Sequence, residues 1–246
     1  RRETEIQQLV AELAGMLAEP RGQQYLESLL VSEQPETRRL AARVLLRNYI
    51  HTVDTSWLLR HDDLLVVNLT LEAMGALRSP GVMKKLVQYL GQGETRKSAV
   101  VGLSTLVHDE PARYEETLNL IQSDVDAVTT DALLDVVSQR VEYLLERVLR
   151  TNDQSARNTL IRLVRSGRVS GIISFLNRNA DPSAESVIME LIAPAIVADE
   201  ELSTEFALYA RESVLRRLRL EPVAVQQTRG KRVGEATHPA LILTII

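Results

Sequence analysis

The sequence predicts an all-α fold, an α-solenoid of six to seven two-helix repeats followed by an irregular tail in which short strands are an alternative. Three observations predict this fold. Apolar residues recur at the three- and four-residue spacings of a helix face through most of the chain. The alternation typical of strands is almost absent before residue 222. The pattern Glu-Thr-Arg-basic-x-Ala-x-x-x-Leu occurs at 36–45 and again at 94–103.

The clearest copy of the repeating unit lies at residues 72–107. It contains the end of one helix, a turn at Pro80 and Gly81, a second helix, and the start of the next unit after Gly91 and Gly93. Proline and glycine interrupt a helix because proline lacks a backbone donor and glycine tolerates turn conformations. The stretch is therefore interpreted as the building unit of the chain and not as a site.

The first helices of successive units begin at a nearly constant spacing. Their predicted starts are Arg38, Val67, Arg96, Asp126, Ala156 and Ala184. Three residues after each start stands a small or β-branched residue: Ala41, Thr70, Ala99, Thr129, Thr159 and Val187. Seven residues after each start stands a large aliphatic residue: Leu45, Met74, Leu103, Leu133, Leu163 and Leu191. Because residues four apart share a helix face, we expect both columns to pack into the core.

The second helix of each unit falls between these starts. The predicted segments are 21–32, 54–61, 80–90, 111–122, 140–150, 169–179 and 199–219. One helix pair cannot bury its apolar face alone, so the units must stack on one another. This places a helical repeat domain at residues 1–219 and a tail or linker at 220–246.

A longer pattern, Ala-x-Gly-x-Leu-x-x-Pro followed by two leucines and Arg-x-x-Ala-x-x-x-Leu, runs through residues 63–107. It falls on Ala73, Gly75, Leu77, Pro80, Leu86, Leu90, Arg96, Ala99 and Leu103. This pattern resembles the HEAT repeat, a member of the armadillo-like helical repeats, and the resemblance implies an α-solenoid that binds a partner. The ladder of Asp and Arg that such repeats carry is incomplete here, since only Arg38 and Arg96 hold the arginine position. We therefore expect mainly aliphatic contacts between units.

Composition and motifs give no sign of catalysis. The 246 residues are 45% hydrophobic and 25% charged with a net charge of -4, which is no basic signature for nucleic acid. There is no cysteine, no signal-peptide pattern and no metal, phosphate-loop or nucleophile motif. We predict a cytoplasmic, non-enzymatic protein with no cofactor and no metal. Because the chain begins with Arg1, we interpret it as an excised or processed piece.

One group of histidines and carboxylates is the candidate for a metal site. His51 and His61 flank the short helix predicted at 54–61, close to Asp54, Asp62 and Asp63. We favour a capping role for Asp62 or Asp63 over metal binding. The lone Trp57 in the same region is predicted to pack into its own repeat, with an exposed partner anchor as the alternative.

The stretch 139–179 is the candidate partner-binding zone, because it holds eight arginines, no lysine and three acids. The candidate binding residues are Arg147, Arg150, Arg157, Arg162, Arg165 and Arg168. Guanidinium groups suit carboxylate or phosphate partners, so an anionic protein surface and nucleic acid are two interpretations. The interpretation that we favour is structural: these arginines would pair with the acids of 181–205, a run with seven acids and no base.

The tail 221–246 breaks the repeat pattern. It contains the basic stretch Arg-Gly-Lys-Arg at 229–232 and ends in the apolar run Ala-Leu-Ile-Leu-Thr-Ile-Ile. It is interpreted as strands folded over the last layer, as a linker, or as the approach to an apolar element. A basic run before an apolar one also precedes membrane spans, so a membrane enters only if the chain continues beyond Ile246.

The first functional hypothesis is a non-catalytic scaffold that binds an extended or helical segment of another protein, an acidic one being an option, along the solenoid groove. The alternatives are a nucleic-acid-binding HEAT-like solenoid of the DNA glycosylase kind, a lyase-like or chaperone-like solenoid, and a cytoplasmic domain of a membrane protein. The acidic net charge and the 4% aromatic content count against nucleic acid. The oligomeric state is not predicted.

Overall fold

The computed structural model describes residues 10–16, 20–79, 81–123, 125–151, 153–179 and 181–220. These described residues form fifteen helices and no strand, which confirms the all-α prediction for this part of the chain. The predicted tail at 221–246 lies outside the described residues. No helix in the described part is both long enough and apolar enough to cross a bilayer.

The helices follow one another with short connections. Their bounds are α1 (10–15), α2 (Arg21–Leu29), α3 (Pro35–Tyr49), α4 (Thr55–Leu58), α5 (Leu64–Met74), α6 (Val82–Gln88), α7 (Gly93–Asp109), α8 (Pro111–Gln122), α9 (Ala127–Ser138), α10 (Val141–Thr151), α11 (Gln154–Arg165), α12 (Ser170–Arg178), α13 (Pro182–Val197), α14 (Glu200–Tyr209) and α15 (Glu212–Leu218).

Aspartate side chains begin many of these helices. The capping residues, each of which accepts a hydrogen bond from a backbone N–H of the first turn, are Asp54, Asp63, Asp126, Asp153, Asp181 and Asp199. The first N–H groups of a helix have no partner within the helix, so this oxygen satisfies a donor that would otherwise be lost. The expected cap before α5 is confirmed as Asp63, whose Oδ1 lies 3.0 Å from the Leu65 nitrogen.

Helices that pack together are close in sequence. Each odd-numbered helix from α3 to α13 packs against the next odd-numbered helix, and α5 against α7 is the most extensive of these contacts. The even-numbered helices α2, α4, α6, α8 and α10 each pack against the helix that follows them. Extensive contacts join helices at most three positions apart, as between α8 and α11 or between α10 and α13.

Both predicted core columns are buried in the first five units. The sixth unit differs, because Val187 is 40% exposed whereas the adjacent Ile188 is fully buried. Ile192 is also fully buried, whereas Leu191 is only half-buried. The predicted start at Ala184 was therefore wrong by one residue, and the unit starts at Glu185. A shift of one residue turns a side chain by about 100° around the helix, enough to move it between core and solvent.

The close contact of α5 with α7 depends on two glycines. A Cβ atom on Gly75 would lie 2.8 Å from the Cβ of Thr105 and closer still to the carbonyl oxygen of Gly102. A Cβ atom on Gly102 would meet the carbonyl oxygen of Leu71. The backbones of the two helices therefore touch at this point, which only glycine permits. Both glycines lie within residues 72–107, and both serve the packing of α5 on α7.

The segment predicted as one helix at 199–219 is broken in two. Ala210 leaves the helical conformation with ψ of 146°, and α15 starts after Arg211. The side chain of Asn177 on α12 holds this break. Its Nδ2 donates to the Tyr209 carbonyl oxygen and its Oδ1 accepts from the Arg211 N–H, each at 2.8 Å.

Candidate binding groove

Two of the six candidate arginines, Arg147 and Arg168, each pair with two carboxylates within the molecule. Arg147 on α10 pairs with Glu115 on α8 and with Asp153, the cap of α11. Arg168, between α11 and α12, pairs with Asp131 at 2.8 Å and with Asp135 at 2.7 Å, both on α9. Because these guanidinium groups already have carboxylate partners, a ligand would have to displace those partners to bind there.

The other four candidate arginines differ in their surroundings. Arg162 donates from Nη1 to the Ile121 carbonyl oxygen at 2.6 Å, and Arg157 is half-buried on α11. Arg150 is 77% exposed and lies 3.6 Å from Glu146 one turn earlier, a contact that adds little stability in water. Arg165 is exposed and makes no ion pair with the described residues. Since α10 ends where α11 begins, Arg150 and Arg165 lie at opposite ends of this layer.

The acids that pair with the arginines of 139–179 are not the predicted ones. Arg147, Arg168 and Arg178 reach carboxylates on earlier helices, such as Glu142 for Arg178. Glu185, in the acidic run, pairs instead with the later Arg211 and with Arg217 at 2.9 Å. The predicted partners in 181–205 were therefore wrong.

Ion pairs between neighbouring layers are more numerous than we expected from the sequence, in which only Arg38 and Arg96 hold the arginine position of the repeat. Arg38 pairs with Asp63, and Arg96 pairs with Asp131 at 2.6 Å. Glu185 is the first residue of the sixth unit, one residue after the predicted start, and so corresponds to Arg38 and Arg96. Here the acid stands on the earlier layer and its partner Arg211 on the later one. The hydrogen bond from Arg96 lowers the pKa of Asp131, since it favours the charged carboxylate. Charged contacts thus accompany the aliphatic ones between layers.

The histidine and aspartate group near α4 has structural roles. The Nδ1 of His61 accepts a hydrogen bond from the Asp63 N–H at 2.9 Å, and its Nε2 lies 3.0 Å from the Leu30 carbonyl oxygen, which requires a proton on Nε2. Trp57 packs edge-on to His61 at 6.4 Å and remains 36% exposed. Among the described residues, no three His, Cys, Asp or Glu side chains are placed to hold a metal ion.

A concave surface lies between α12 and α14, and we name it the α12–α14 groove. It has a volume of about 330 Å³. Its lining residues are Ser170, Ile173, Ser174, Asn177, Glu205 and Tyr209. Glu205 and Tyr209 also border a second concave area on α14, lined further by Glu200, Glu201, Thr204 and Leu208. The shared residues make one continuous surface.

The walls of the α12–α14 groove combine apolar and polar groups. Ile173 is 3% exposed and belongs to the core, whereas Tyr209 is 57% exposed. Asn177, which fixes the break between α14 and α15, also fixes the last turn of α14, where Tyr209 stands. The groove is therefore held by the fold itself and not by a loop.

Glu205 is the electrostatic feature of this groove. It is half-buried, and within the described part of the chain neither Glu205 nor Glu201 makes an ion pair. Burial raises the pKa of Glu205, and the neighbouring charge of Glu201 raises it further. Arg178 and Arg211, which flank the groove in sequence, pair with Glu142 and with Glu185. Among the residues that the structure describes, no cation therefore compensates the negative charge in the groove.

These groups are suited to bind a cation. Carboxylates accept hydrogen bonds from guanidinium or ammonium groups, and an exposed tyrosine ring attracts a cation to its face. A signal for this site was present in the sequence, in the acidic run 181–205. Of the seven acids in this run, two cap helices and Glu185 is buried. Three of the other four, Glu200, Glu201 and Glu205, lie on α14.

Comparison of the chain with protein-family models, with curated proteins and with solved structures found no match. The function proposed below therefore depends on the geometry and charge of the α12–α14 groove.

Proposed function

We propose that the protein is a HEAT-like α-solenoid that acts as a non-catalytic interaction scaffold and binds a cationic segment of a partner protein in the α12–α14 groove. One observation carries the proposal: Glu205 and Glu201, which make no ion pair with any described residue, line the same concave surface as the exposed Tyr209.

The solenoid architecture is supported by the contacts between helices. Successive odd-numbered helices pack in sequence order, and each layer exchanges ion pairs with its neighbour, as between Arg96 and Asp131. Repeats that contact only their neighbours leave long surfaces exposed, and such surfaces bind partner segments. The absence of cysteine from the chain fits a reducing compartment, and we place the protein in the cytoplasm.

The cationic character of the partner is supported by an energetic argument. An isolated carboxylate that is partly removed from water destabilises the fold, because its charge loses hydration without gaining a partner. A bound arginine or lysine would supply that partner and would use the ring of Tyr209 as a platform. The aliphatic stem of the same side chain would cover the apolar part of the wall near Ile173.

A peptide titration tests the proposal. The probe is a fluorescent twelve-residue peptide with three arginines, compared with a peptide of the same length in which glutamine replaces arginine. We expect the arginine peptide to bind the wild-type chain, and the double variant Glu201→Lys/Glu205→Lys to weaken binding by about tenfold or more, roughly 1.4 kcal/mol. Salt should weaken binding as well, because part of the attraction acts between exposed charges.

The matched control is the double variant Arg150→Glu/Arg165→Glu, which reverses the same number of charges on exposed candidate arginines. It should leave binding of the arginine peptide unchanged or slightly stronger. Equal binding by wild type and by the Glu201/Glu205 variant would refute the proposed groove. An acidic probe peptide that binds wild type and is lost in the arginine variant would support the arginine zone instead.

A further inference from the structure

We propose that the protein has a second binding site, in the first described layer, which takes an acidic, amphipathic segment of a partner protein. The site is a cavity of about 300 Å³ between α1 and α3, which we name the α1–α3 groove. Glu12, Gly15 and Met16 of α1 line one side, and Arg43 and Arg47 of α3 line the other. The inference does not depend on the α12–α14 groove, because the two surfaces share no residue.

The arginines of α3 fall into two pairs with different surroundings. Arg38 and Arg39, near the start of the helix, lie 3.2 Å and 3.5 Å from the same carboxylate oxygen of Asp63. Arg43 and Arg47 are exposed, and neither makes an ion pair or a hydrogen bond with a described residue. They stand one turn apart on one face of the helix. Two guanidinium groups at this spacing suit two carboxylates of a single segment.

The groove combines this positive charge with apolar side chains. Among the described residues that line it, Glu12 is the one acid, so two guanidinium groups stand against one carboxylate. Met16 is 82% exposed, and Leu13, three residues earlier on α1, is 54% exposed. A segment with carboxylates and apolar residues would pair with the arginines and also cover these side chains. The phosphates of a nucleic acid would contact the arginines alone, and Glu12 would repel them.

The two walls of the α1–α3 groove are fixed by contacts in the core. The buried Tyr49 donates from its hydroxyl to the Ala14 carbonyl oxygen at 3.1 Å, which holds the end of α1 on α3. A Cβ atom on Gly15 would lie 2.7 Å from Val44 Cγ1 and 2.7 Å from Asn48 Nδ2, so the backbone of α1 lies directly on α3. Val44 and Asn48 complete the lining of the groove. The apolar wall is therefore held in place beside the arginines before any ligand binds.

A peptide titration on the full chain tests the inference. The probe is a fluorescent twelve-residue peptide with glutamate at every fourth position and leucines between, compared with a peptide in which glutamine replaces glutamate. We expect the glutamate peptide to bind wild type. The variant Arg43→Glu/Arg47→Glu should weaken binding about tenfold, because two attractions between exposed charges become two repulsions.

The matched control is Arg150→Glu/Arg165→Glu, which reverses two exposed arginines of a middle layer and should bind the glutamate peptide as wild type does. Equal binding by wild type and by the Arg43/Arg47 variant would overturn the inference. Loss of binding in the control variant alone would do the same. The arginine probe peptide should bind the Arg43/Arg47 variant with wild-type affinity, so failure of either site is detected separately.

A second pair of variants tests the apolar wall. Met16→Gln should weaken binding of the glutamate peptide about threefold, because it removes an apolar contact and keeps the length of the side chain. Val31→Gln is the control, since Val31 is 74% exposed and lies outside the groove lining. Unchanged affinity in Met16→Gln would overturn the amphipathic character of the ligand.

Phosphates and a second copy of the chain are the other occupants to be tested. A DNA duplex is titrated at low and high salt, and self-association of the chain is measured by sedimentation. We expect the Arg43/Arg47 variant to change neither. Duplex binding or self-association that is lost in this variant, without binding of the glutamate peptide to wild type, would overturn the assignment of the groove to an acidic segment.

Discussion

At the scale of single residues, Glu205 and Gly75 show two different effects of close packing. The fold partly buries the charge of Glu205, and at Gly75 it leaves no room for a side chain. Glu205 is partly removed from water and has no ion-pair partner among the described residues. Gly75 lacks a Cβ because the backbone of α7 occupies that space. The first residue costs stability at neutral pH, whereas the second allows the backbones of α5 and α7 to touch.

The substitution Glu205→Gln should stabilise the fold at neutral pH. The pKa of Glu205 is raised in the folded state, so the folded protein holds this proton more tightly than the unfolded chain does. The destabilisation is therefore absent below the unfolded pKa, appears as the pH rises towards the folded pKa, and is complete above it. We expect a gain on the order of 0.5 kcal/mol at pH 7 that disappears near pH 4, measured by urea unfolding.

The exposed Glu190→Gln on α13 is the control for this prediction, and it should show no such pH-dependent gain. A Glu205→Gln gain that stays constant from pH 4 to pH 7 would contradict the assigned cause. It would indicate that the amide is favoured for its packing or helix propensity.

The substitution Gly75→Ala should destabilise the protein. Gly75 is the C-cap of α5, so alanine gains less there than in a helix interior, where it is favoured by about 1 kcal/mol, and its methyl group would meet backbone atoms of α7 that cannot move independently. We expect the overpacking to dominate, with a net loss of about 1–2 kcal/mol in chemical denaturation.

Gly93→Ala provides the comparison, because a Cβ at Gly93 would have no atom within 4 Å. That variant should be neutral or slightly more stable. If Gly75→Ala behaves in the same way, the two helices must be able to separate without loss.

At the scale of elements, helix ends are set by two kinds of interaction that differ in range. Aspartate caps act within a few residues, as when Asp153 accepts a hydrogen bond from the Ser155 N–H. The break between α14 and α15 is set from a distance, because Asn177 bonds residues 32 and 34 positions later in the chain. Local sequence determines the first kind of end, and tertiary contact determines the second.

The substitution Asn177→Ala should loosen the break between α14 and α15. It removes one bond to the Tyr209 carbonyl and one to the Arg211 N–H, which at an exposed position are together worth about 1 kcal/mol. We expect this loss in unfolding experiments, together with faster hydrogen exchange of the Arg211 amide. The exposed Ser174→Ala on the same helix is the control. Unchanged exchange at Arg211 would show that α15 is held by its core contacts alone.

Local information in the sequence was sufficient for most of the helices. Helical spacing predicted the all-α class, and the recurring sequence pattern predicted the first five unit starts, because these signals lie within a few turns of the chain. The sixth start was wrong since nothing in the local pattern distinguishes Val187 from Ile188 as the core residue. The break after α14 was missed because it depends on Asn177, whose role exists only once α12 and α14 are adjacent.

The candidate site was predictable only in its charge. The acidic run was visible in the sequence, but its assignment to the preceding arginines was wrong, because the arginines that form ion pairs do so with carboxylates outside the run, such as Glu142 on α10. Whether an acid points inward depends on the register of its helix. Glu185 is buried because it shares the inward face of α13 with Ile188, whereas the sequence pattern placed Val187 on that face. The uncompensated charge of Glu205 follows from that pairing and not from composition.

At the scale of the whole described molecule, stability is distributed along the chain. The buried residues form one cluster from Ala11 to Val66 and a larger one from Val67 to Leu218, and the two clusters lie on different faces of α5. Layers in the middle have neighbours on both sides, whereas the last layer has a described neighbour on one side only. In such a chain each layer is stabilised by its own packing and by its contacts with adjacent layers.

Hydrogen exchange should therefore be graded along the chain. We expect amides of α7 and α9 to be protected most strongly and those of α14 and α15 to exchange at least tenfold faster by local opening, which corresponds to about 1.4 kcal/mol. Mass-spectrometric exchange on the intact chain measures this directly. A uniform rate over all these helices would instead indicate a single cooperative unit and would contradict the layered picture.

The short range of the helix contacts has a consequence for synthesis. Since extensive contacts join helices at most three positions apart, no layer waits for a distant part of the chain before its partners exist. Local contacts of this kind are associated with fast folding, and chains emerge from the ribosome at about 5–20 residues per second. The described layers can therefore form one after another during translation, and α15 is the last described helix to emerge.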